Sequence, residues 1–261
     1  MSKVKIIIYG CFGRMGTAIS NVAANMPDVE IIAGFDATKS RELRPYPVNY
    51  DINDYPIAAD VVLNFLPTSA TDAAVSLLQY CASKKLPMVI GTTNLPHLVV
   101  DAISSVSKKT PIFQAANLAI GVNLFTQIIE NATKQLFSSG FDIEIIEKHH
   151  NKKLDAPSGT AVMLAEVINQ TLGGNMHMQT DRCFHQGERE RIEIGIHSIR
   201  GGSITGEHSI IFAGEGETIE FTHRAESRDV FAIGAIKAAQ FIYDKPAGMY
   251  GMKDLLNAPL A

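Results

Sequence analysis

Short apolar runs alternate with segments of helical periodicity over the first 120 residues of the chain. Each run is rich in β-branched side chains and is bounded by glycine, proline or polar residues, which is typical of buried strands. The predicted strands are Lys5–Tyr9, Glu30–Phe35, Asp60–Phe65, Met88–Ile90 and Pro111–Phe113. The predicted helices between them run from Met15 to Met26, from Ala74 to Cys81 and from Leu95 to Lys108. This alternation predicts an α/β fold with a Rossmann-type, doubly wound parallel sheet.

The pattern changes in the middle of the chain. A helical stretch from Val122 to Leu136 is followed by an alternation of period two at Asp142–Glu147, and another helix is predicted to begin near Ser158. From 191 to 224, alternating apolar and polar residues predict antiparallel strands with one buried and one wet face. The turns of this region are predicted at Gly201–Gly202 and Gly214–Gly216. With a last helix from Phe231 to Ile242, the pattern indicates a second, α+β domain.

Composition narrows the class of protein without identifying it. Of the 261 residues, 46% are apolar and 19% charged, which excludes a disordered tail, a collagen-like rod and a coiled coil. No apolar run approaches the roughly 18 residues of a membrane helix, and the short run after Lys5 does not fit a signal peptide. The net charge of −4 disfavours a protein that coats nucleic acid. We therefore expect a cytoplasmic protein with no membrane or nucleic-acid partner.

The residues that usually bind metals are poorly placed for a metal site. Cys11, Cys81 and Cys183 are far apart, and none forms a CxxC pair, so neither a zinc ribbon nor a disulfide framework is supported. The adjacent His149 and His150 point in different directions and lack an accompanying set of spaced cysteines or carboxylates. No metal is predicted.

A glycine-rich loop separates the first predicted strand from the first predicted helix. Gly10, Gly13 and Gly16 have the spacing G-x-x-G-x-x-G, in which Phe12 stands where the commoner dinucleotide fingerprint has a glycine. Such glycines let the backbone approach a pyrophosphate, and the helix N-terminus adds unpaired N–H groups and a positive dipole end. Asp36 ends the second strand, where a carboxylate accepts hydrogen bonds from an adenosine ribose. A tight turn without ligand is the alternative, but these features together favour a dinucleotide.

Small and polar residues follow two further strands of the predicted sheet. Gly91–Thr93 follows the fourth strand and Ala115–Asn117 the fifth, at the carboxyl ends where open α/β sheets bind ligands. Each segment alone is also compatible with a polar turn, whereas within a nucleotide site both would line the nicotinamide end. The predicted cofactor-binding residues are Gly10, Cys11, Phe12, Gly13, Arg14, Met15, Asp36, Gly91, Thr92, Thr93, Ala115, Ala116, Asn117 and Leu118.

Three lysines and two histidines occupy residues 148–153, without an acidic residue among them. A solvated basic loop explains most such runs, and a nucleic-acid patch is unsupported because no aromatic side chains interleave. Pro157–Thr160 precedes an apolar run and predicts a helix start. Its N–H groups, the Thr160 hydroxyl and a nearby lysine would hold a small carboxylate. Because histidine transfers protons well near neutral pH, the segment predicts a site that binds and protonates an acidic small substrate.

Residues 147–161 closely resemble the signature segment of the dihydrodipicolinate reductase family. The glycine loop resembles the dinucleotide loop of that family, and the resemblance covers nearly the whole chain. Further similar segments are Gly91–Thr93, Ala116–Asn117, Gly121–Asn123, Gly206–His208 and Ser227–Arg228.

The resemblance implies a reductase that uses NADH or NADPH and acts on a cyclic imine dicarboxylate derived from 4-hydroxy-tetrahydrodipicolinate, in lysine and diaminopimelate biosynthesis. It implies a dinucleotide-binding domain at 1–118 and 228–261, and a substrate-binding and tetramerisation domain with an open mixed sheet at 119–227. A homotetramer follows from the same resemblance. The implied catalytic residues are His149 and Lys153, and the implied substrate-binding residues are His150, Gly159 and Thr160.

Two departures from the family pattern concern the cofactor. Family members that use NADPH well often carry a basic residue directly after the ribose carboxylate, where this chain has Ala37, and Phe12 is bulkier than the usual residue of that loop. The 2′-phosphate of NADPH would face Asp36, and like charges repel. Lys39 and Arg41 follow in a predicted loop, where a mobile cation offsets about 1 kcal/mol or less. We therefore expect a modest preference for NADH, with NADPH still accepted.

Two other classes of function compete with the reductase. A different two-domain reductase, such as an aspartate-semialdehyde dehydrogenase, would need a nucleophilic cysteine, and no cysteine here has a supporting motif. A regulator that senses a dinucleotide without catalysis would need the glycine loop, but it gives no reason for the segment from His149 to Thr160. Oxidation of NADH in the presence of the substrate discriminates among the three.

Overall fold

A parallel seven-stranded sheet organises the first of two units. The computed structural model describes residues 3–38, 40, 42–51, 58–184 and 187–258. The strands are β1 (Val4–Tyr9), β2 (Val29–Phe35), β3 (Val48–Asn49), β4 (Val61–Asn64), β5 (Met88–Ile90), β6 (Pro111–Gln114) and β12 (Gly248–Tyr250). The strand order is β12-β6-β5-β4-β1-β2-β3, and each adjacent pair runs parallel. The helices are α1 (Arg14–Ala23), α2 (Thr71–Lys84), α3 (His97–Val106), α6 (Asp229–Ile242) and α7 (Met252–Leu256).

Helices cover both faces of this sheet. Successive residues of a strand point to opposite sides, so each strand packs against helices on both faces. Ile6 and Ile8 of β1 are fully buried in a cluster with side chains of α1 and α6, such as Ile19. Ile7, between them, is buried in a second cluster with side chains of α2 and α3, such as Leu78. The predicted Rossmann-type, doubly wound sheet is therefore confirmed, and burial on both faces explains why its strands are continuous apolar runs.

The second unit is built on a five-stranded sheet. Gly121–Arg228 form this unit, and Met1–Ile120 with Asp229–Ala261 form the other. The elements are α4 (Ile120–Ser138), β7 (Asp142–His149), α5 (Gly159–Thr171), β8 (His177–Gln179), a 3₁₀ turn (Arg182–Phe184), β9 (Glu193–Arg200), β10 (Glu207–Ala213) and β11 (Thr218–Arg224). The strand order is β11-β10-β7-β9-β8. Strand β10 runs antiparallel to β7 and β11, whereas β9 runs parallel to β7 and β8, so the expected mixed sheet is confirmed.

The prediction of antiparallel strands throughout 191–224 is wrong for β9. This strand precedes β10 in the chain, but β7 lies between the two in the sheet, so Gly201–Gly202 does not close a hairpin. Of the two predicted glycine turns, the one at Gly214–Gly216 joins neighbouring antiparallel strands. The error has a physical reason: alternation with period two specifies a half-buried strand but carries no information on the direction of its neighbours.

Helices cover one face of the five-stranded sheet. Ile143 and Ile145 of β7 are fully buried with side chains of α4 and α5, such as Leu164. Because every second residue of β7 points to the same side, Glu147 and His149 share this covered face. The end of the strand thereby carries two polar side chains into surroundings that are otherwise apolar.

Several element bounds differ from the sequence prediction. Helix α1 ends at Ala23, before Met26, because the chain leaves it through turns with hydrogen bonds from residue i to i−3. Helix α3 begins after Pro96, which occupies its N-cap. Strands β3, β8 and β12 lie outside the prediction, because so few residues do not display a period. Within the described part of the chain, no helix has the length and apolar character to cross a membrane.

Candidate functional site

The glycine-rich loop joins β1 to α1 at the carboxyl edge of the parallel sheet. Gly10 has a φ of +81°, and its N–H donates to the carbonyl oxygen of Phe35 at 2.8 Å. A Cβ atom on Gly10 would lie 2.8 Å from the carbonyl oxygen of Phe65, and one on Gly16 would collide with the loop backbone. Both positions therefore require glycine. Gly13, the N-cap of α1, is exposed, so the first N–H groups of that helix are accessible to an anion.

The Asp36 carboxylate lies beside this loop. Its Oδ2 accepts a hydrogen bond from the N–H of Phe12 at 3.0 Å, and its Oδ1 accepts one from the N–H of Thr38 at 2.9 Å. A partly exposed carboxylate oriented by two backbone donors keeps further lone pairs for the hydroxyls of a ribose. Lys39 and Arg41, the cations that the sequence analysis places near the 2′-position, lie outside the described residues.

An arginine to which the sequence analysis assigns no role supports the same loop. Arg44 Nη2 donates to the carbonyl oxygen of Cys11 at 3.1 Å and to Thr17 Oγ1 at 2.8 Å. Its guanidinium lies over the ring of Phe12, 5.2 Å from the centroid, and only 9% of the side chain is exposed. The segment around Arg44 has no periodicity, so no sequence signal indicates this contact.

Burial makes two of the cysteines poor nucleophiles. Burial and the nearby Asp36 raise the pKa of the Cys11 thiol to about 11. Burial also raises the pKa of Cys81, and both side chains are fully buried. A cysteine nucleophile needs an accessible thiolate. Neither Cys11 nor Cys81 can therefore serve as the nucleophile that an aspartate-semialdehyde dehydrogenase would need.

The remaining predicted cofactor residues follow β5 and β6. A Cβ atom on Gly91 would collide with a neighbouring aromatic ring. Thr92 Oγ1 donates to the carbonyl oxygen of Leu66 at 2.8 Å, and Asn117 Oδ1 accepts from the N–H of Ala119 at 2.9 Å. The carboxyl edge of one parallel sheet thus carries Gly10–Met15, Asp36, Gly91–Thr93 and Ala115–Leu118.

A buried carboxylate organises the polar site of the second unit. Glu147, in β7, has no exposed surface (0%). Arg200 Nη1 donates to its Oε2 at 2.8 Å and Arg200 Nη2 to its Oε1 at 2.6 Å. The N–H of Ser158 donates to Oε1 at 3.1 Å, and His149 Nδ1 lies 2.6 Å from Oε2. Burial alone would raise the pKa of Glu147, but the hydrogen bonds from Arg200 and His149 outweigh it and hold the pKa at about 2.

His149, the predicted catalytic histidine, ends β7 with 9% of its surface exposed. A Cβ atom on Gly206 would lie 3.2 Å from His149 Nε2, so glycine at this position leaves room beside that nitrogen. His208 lies on the neighbouring β10, and its Nε2 is 2.9 Å from Ser158 Oγ. Burial and the nearby His149 lower the pKa of His208 to about 4, which keeps His208 neutral at pH 7.

Helix α5 begins where the sequence predicts it. Ser158 is the N-cap, and its Oγ accepts a hydrogen bond from the N–H of Ala161 at 3.1 Å. The N–H groups of Gly159 and Thr160 precede the first intrahelical hydrogen bonds. Gly159 is exposed and Thr160 is half-buried, so this positive end of the helix dipole is open to an anion.

The other predicted substrate residues lie in the segment between β7 and α5. Lys153 Nζ is 2.9 Å from Asp155 Oδ2, and the Lys153 N–H donates to the carbonyl oxygen of His150 at 3.1 Å. His150 Nδ1 is buried and has no hydrogen-bond partner among the described residues. A cation and an unsatisfied polar nitrogen therefore occur in one short segment. No cluster of histidine, cysteine and carboxylate side chains suited to a metal ion occurs in the part of the chain that the structure describes.

The site prediction from sequence assigns no role to three contributors: the carboxylate of Glu147 and the imidazole of His208, which lie in segments that resemble the family, and the guanidinium of Arg200. Arg200 reaches Glu147 across 53 residues of chain, because β9 pairs with β7. His208 is likewise brought beside Glu147 by the pairing of β10 with β7. Such contacts depend on strand register, which periodicity alone does not reveal.

Two sequence models of a single family match almost the whole chain. The model described as "Dihydrodipicolinate reductase, N-terminus" matches residues 4–118, and that described as "Dihydrodipicolinate reductase, C-terminus" matches residues 121–256. The chain belongs to the dihydrodipicolinate reductase family. The family membership that the resemblance of residues 147–161 predicts is thereby confirmed.

Individual dihydrodipicolinate reductases agree with this assignment. The 4-hydroxy-tetrahydrodipicolinate reductase of Clostridium tetani is 45% identical over 255 residues, which cover 98% of each chain. The protein of the same name from Caldanaerobacter subterraneus subsp. tengcongensis is 42% identical over 97% of this chain and 98% of its own. A dipicolinate-bound dihydrodipicolinate reductase from Paenisporosarcina sp. TG-14 has a TM-score of 0.79 at 25% identity, with 97% of this chain and 99% of that chain covered. The DAP dehydrogenase of C. glutamicum, at 13% identity and a TM-score of 0.57, shares the fold alone.

Proposed function

We propose that the protein reduces the cyclic imine dicarboxylate derived from 4-hydroxy-tetrahydrodipicolinate to tetrahydrodipicolinate, with NADH or NADPH, in lysine and diaminopimelate biosynthesis. One observation carries the proposal. The buried carboxylate of Glu147 binds both His149 and the backbone of Ser158 at the start of α5. A proton-transfer group and an anion-binding helix start are thereby held together, which suits a reductase of a dicarboxylate. A dinucleotide-sensing regulator would not require this arrangement.

The cofactor of this family is a nicotinamide dinucleotide, and the residues at the carboxyl edge of the parallel sheet fit it. The tight turn at Gly10 and Gly16, where a Cβ atom would collide with the backbone of Phe65 or of the loop itself, leads directly to the exposed Gly13 at the N-terminus of α1. We propose that this loop and the N-terminus of α1 hold the pyrophosphate, that Asp36 binds the adenosine ribose, and that Gly91–Thr93 and Ala115–Leu118 line the nicotinamide end. When bound, the cofactor supplies the hydride.

The second unit supplies the groups that a dicarboxylate needs. One carboxylate would accept hydrogen bonds from the N–H groups of Gly159 and Thr160 and from the Thr160 hydroxyl, at the positive end of α5. Lys153 adds a cationic donor, and the unsatisfied Nδ1 of His150 adds a further polar contact. We propose this division of roles between the chain segments: 1–118 with 228–261 hold the dinucleotide, and 119–227 hold the substrate.

Reduction of a conjugated imine leaves an enamine, which must take up a proton at carbon. His149 is placed for this step, because its Nδ1 faces a carboxylate and its Nε2 lies on the side away from that carboxylate. Lys153 can relay or supply the proton and stabilises the negative charge of the dicarboxylate. The catalytic roles of His149 and Lys153 are part of the proposal.

We propose that NADH is favoured modestly over NADPH. Asp36 would bind the ribose hydroxyls of NADH, whereas it would repel the 2′-phosphate of NADPH. Ala37 provides no compensating charge. The Nη2 atom of Arg44 is already engaged with Cys11 and Thr17, which limits what this guanidinium gives to a phosphate.

We propose a cytoplasmic homotetramer that assembles through the second unit. The face of the five-stranded sheet opposite α4 and α5 carries Ile146 and Ile199, and Ile199 is 45% exposed. Apolar side chains on an uncovered sheet face favour burial against another surface. Light scattering coupled to size-exclusion chromatography measures the mass. A monomer would contradict the proposal.

The activity is tested by following NADH absorbance with freshly generated 4-hydroxy-tetrahydrodipicolinate. We expect oxidation of NADH that depends on this substrate and on the enzyme, and inhibition by a planar pyridine dicarboxylate. Aspartate semialdehyde with phosphate and NAD⁺ is the comparison reaction, in which a dehydrogenase would oxidise the aldehyde to the acyl phosphate and form NADH, and it should give no NADH. Binding of NADH without turnover of either compound would instead support a dinucleotide-sensing protein.

A further inference from the structure

Glu147 is the most fully satisfied charged side chain at the candidate substrate site. Its two carboxylate oxygens accept hydrogen bonds from three elements of the unit. The donors are His149 on its own strand, Arg200 on β9 and the backbone N–H of Ser158 at the start of α5. Its side chain is fully buried. A buried carboxylate is costly unless it is paired and hydrogen-bonded, so this arrangement calls for an explanation beyond packing.

We propose that Glu147 is a positioning residue that fixes the tautomer and orientation of His149. It also holds His149 in a fixed position relative to the start of α5, which would bind the substrate carboxylate. This inference rests on the proposed role of His149 as a proton donor. It adds a residue and a mechanism that the site prediction from sequence does not contain.

The tautomer follows from the donor and acceptor inventory of the pair. The Glu147 carboxylate is ionised at neutral pH, because Arg200 and His149 hold its pKa at about 2. An ionised carboxylate only accepts hydrogen bonds, so the hydrogen of the 2.6 Å contact is on His149 Nδ1. Nε2 is then the nitrogen that exchanges protons with the substrate, and Gly206 leaves room beside it.

The Glu147 carboxylate also fixes the position of the His149 imidazole relative to the anion site at the start of α5. Its Oε1 accepts from the N–H of Ser158, the N-cap of α5, while its Oε2 accepts from His149. Arg200 binds both oxygens and also donates from Nη2 to the carbonyl oxygen of Asp155 at 2.7 Å. The strand end, the connecting segment and the helix start are therefore tied to one group, whose displacement would move the proton donor relative to the substrate.

The charged surroundings set the expected effect of removing the negative charge. Around the pair lie Arg200 of β9, His208 of β10, and Lys153 and Asp155 of the segment after β7. In Glu147→Gln the Arg200 cation would stay beside His149 without its anion, and this repulsion disfavours the imidazolium. The protonated, proton-donating form of the histidine would then be lost at lower pH.

The decisive experiment is a double-mutant cycle on the full-length enzyme with NADH. We expect Glu147→Gln to lower kcat about 10²-fold, to leave the KM for NADH unchanged, and to move the alkaline limb of the kcat profile to lower pH. In the His149→Gln background the same substitution should change kcat less than about twofold, because a residue that acts through His149 has no further effect once it is gone. Glu147→Asp, which keeps the charge, should keep the alkaline limb nearer to that of the wild type.

A matched control and a measurement on the unmodified protein complete the test. Glu166→Gln changes the same residue type at an exposed position of α5, and it should retain kcat and the pH profile. The ¹⁵N spectrum of histidine-labelled wild type, assigned with His149→Gln, should show hydrogen on Nδ1 of neutral His149, and it decides the matter if Glu147→Gln does not fold. Hydrogen on Nε2, an unshifted profile or additive effects in the cycle would overturn the inference. Full activity of His149→Gln would instead overturn the proposed role of His149.

Discussion

The imidazole rings of His149 and His208 meet edge to face, with their centroids 5.2 Å apart. His149 Nδ1 is in direct contact with the Glu147 carboxylate, whereas His208 Nε2 contacts Ser158 Oγ. Burial and the proximity of His149 lower the pKa of His208 to about 4. The two histidines therefore have different electrostatic roles, although both lie at the same end of the sheet.

This difference predicts how stability depends on pH. The folded state depresses the pKa of His208 from 6.5 to about 4, so stability is complete above pH 6.5 and falls as the pH drops from 6.5 to 4. The expected loss is on the order of 3 kcal/mol. A second loss of stability follows between pH 4.5 and about 2, because there Glu147 is protonated in the unfolded chain while the folded protein still holds it ionised. Thermal unfolding at a series of pH values measures both windows.

His208→Gln is the variant that isolates the first window. Glutamine keeps a polar side chain near Ser158 but does not titrate, so the loss of Tm between pH 6.5 and 4 should become shallower than in the wild type. His177→Gln is the control, because His177 is exposed on β8 and its replacement should leave the profile unchanged. A profile of the His208 variant that coincides with that of the wild type would remove His208 from the explanation.

His149→Gln should lower kcat by about 10²–10⁴-fold, the usual effect of losing a positioned proton-transfer group. The affinity for NADH should stay nearly intact, because the predicted dinucleotide residues lie in the other unit. Steady-state kinetics and NADH fluorescence titration measure the two quantities. A variant with near-normal kcat would exclude His149 from proton transfer.

Lys153→Met should lower kcat and raise the KM for the dicarboxylate together, because one ammonium serves the bound substrate and the transition state. A loss of about 10- to 100-fold in kcat/KM corresponds to one hydrogen bond with a charged group. Lys152→Met is the matched control, since Lys152 is the exposed neighbour in the same segment. If Lys153→Met changed only the Tm, its ion pair with Asp155 would be structural.

Thr160→Val should raise the KM for the dicarboxylate about 10-fold without unfolding the protein, since valine keeps the shape and removes the hydroxyl. Thr171→Val tests the same replacement at the other end of α5, where the hydroxyl donates to the Val167 carbonyl oxygen, and it should leave the KM unchanged. A dicarboxylate inhibitor found away from Gly159 and Thr160 in a crystal complex would refute the predicted anion site.

The ratio of kcat/KM for NADH and NADPH, at matched ionic strength, should favour NADH by a few fold, which corresponds to about 1 kcal/mol. Asp36→Asn should move the ratio toward NADPH, because it removes the charge that repels the 2′-phosphate. Asp28→Asn is the control, because Asp28 directly precedes β2, at the opposite end of the strand from Asp36. A clear preference of the wild type for NADPH would contradict the argument, and its loss in Lys39→Ala or Arg41→Ala would assign it to that loop.

Local pattern was sufficient for much of the fold and of the site. The apolar runs around Ile6–Ile8 and Val61–Leu63 predict buried parallel strands, because a strand covered on both faces has no polar side. The start of α5 was also predictable, because Ser158 is a good N-cap in front of an apolar run. Charge, proton-transfer chemistry and a family signature occur together in one short segment, and they point to His149, Lys153 and Thr160. All of these signals lie within a few residues of one another in the chain.

Tertiary structure decided the relationships that depend on which strands pair. The parallel pairing of β9 with β7 brings Arg200 to Glu147, and the antiparallel pairing of β10 with β7 brings His208 into the site. Arg44 likewise reaches the glycine loop from an aperiodic segment. Periodicity specifies which face of a strand is buried, but strand order and direction arise from the packing of the whole sheet. For this reason the proton donor could be predicted from the sequence, whereas the charged groups that hold it in place could not.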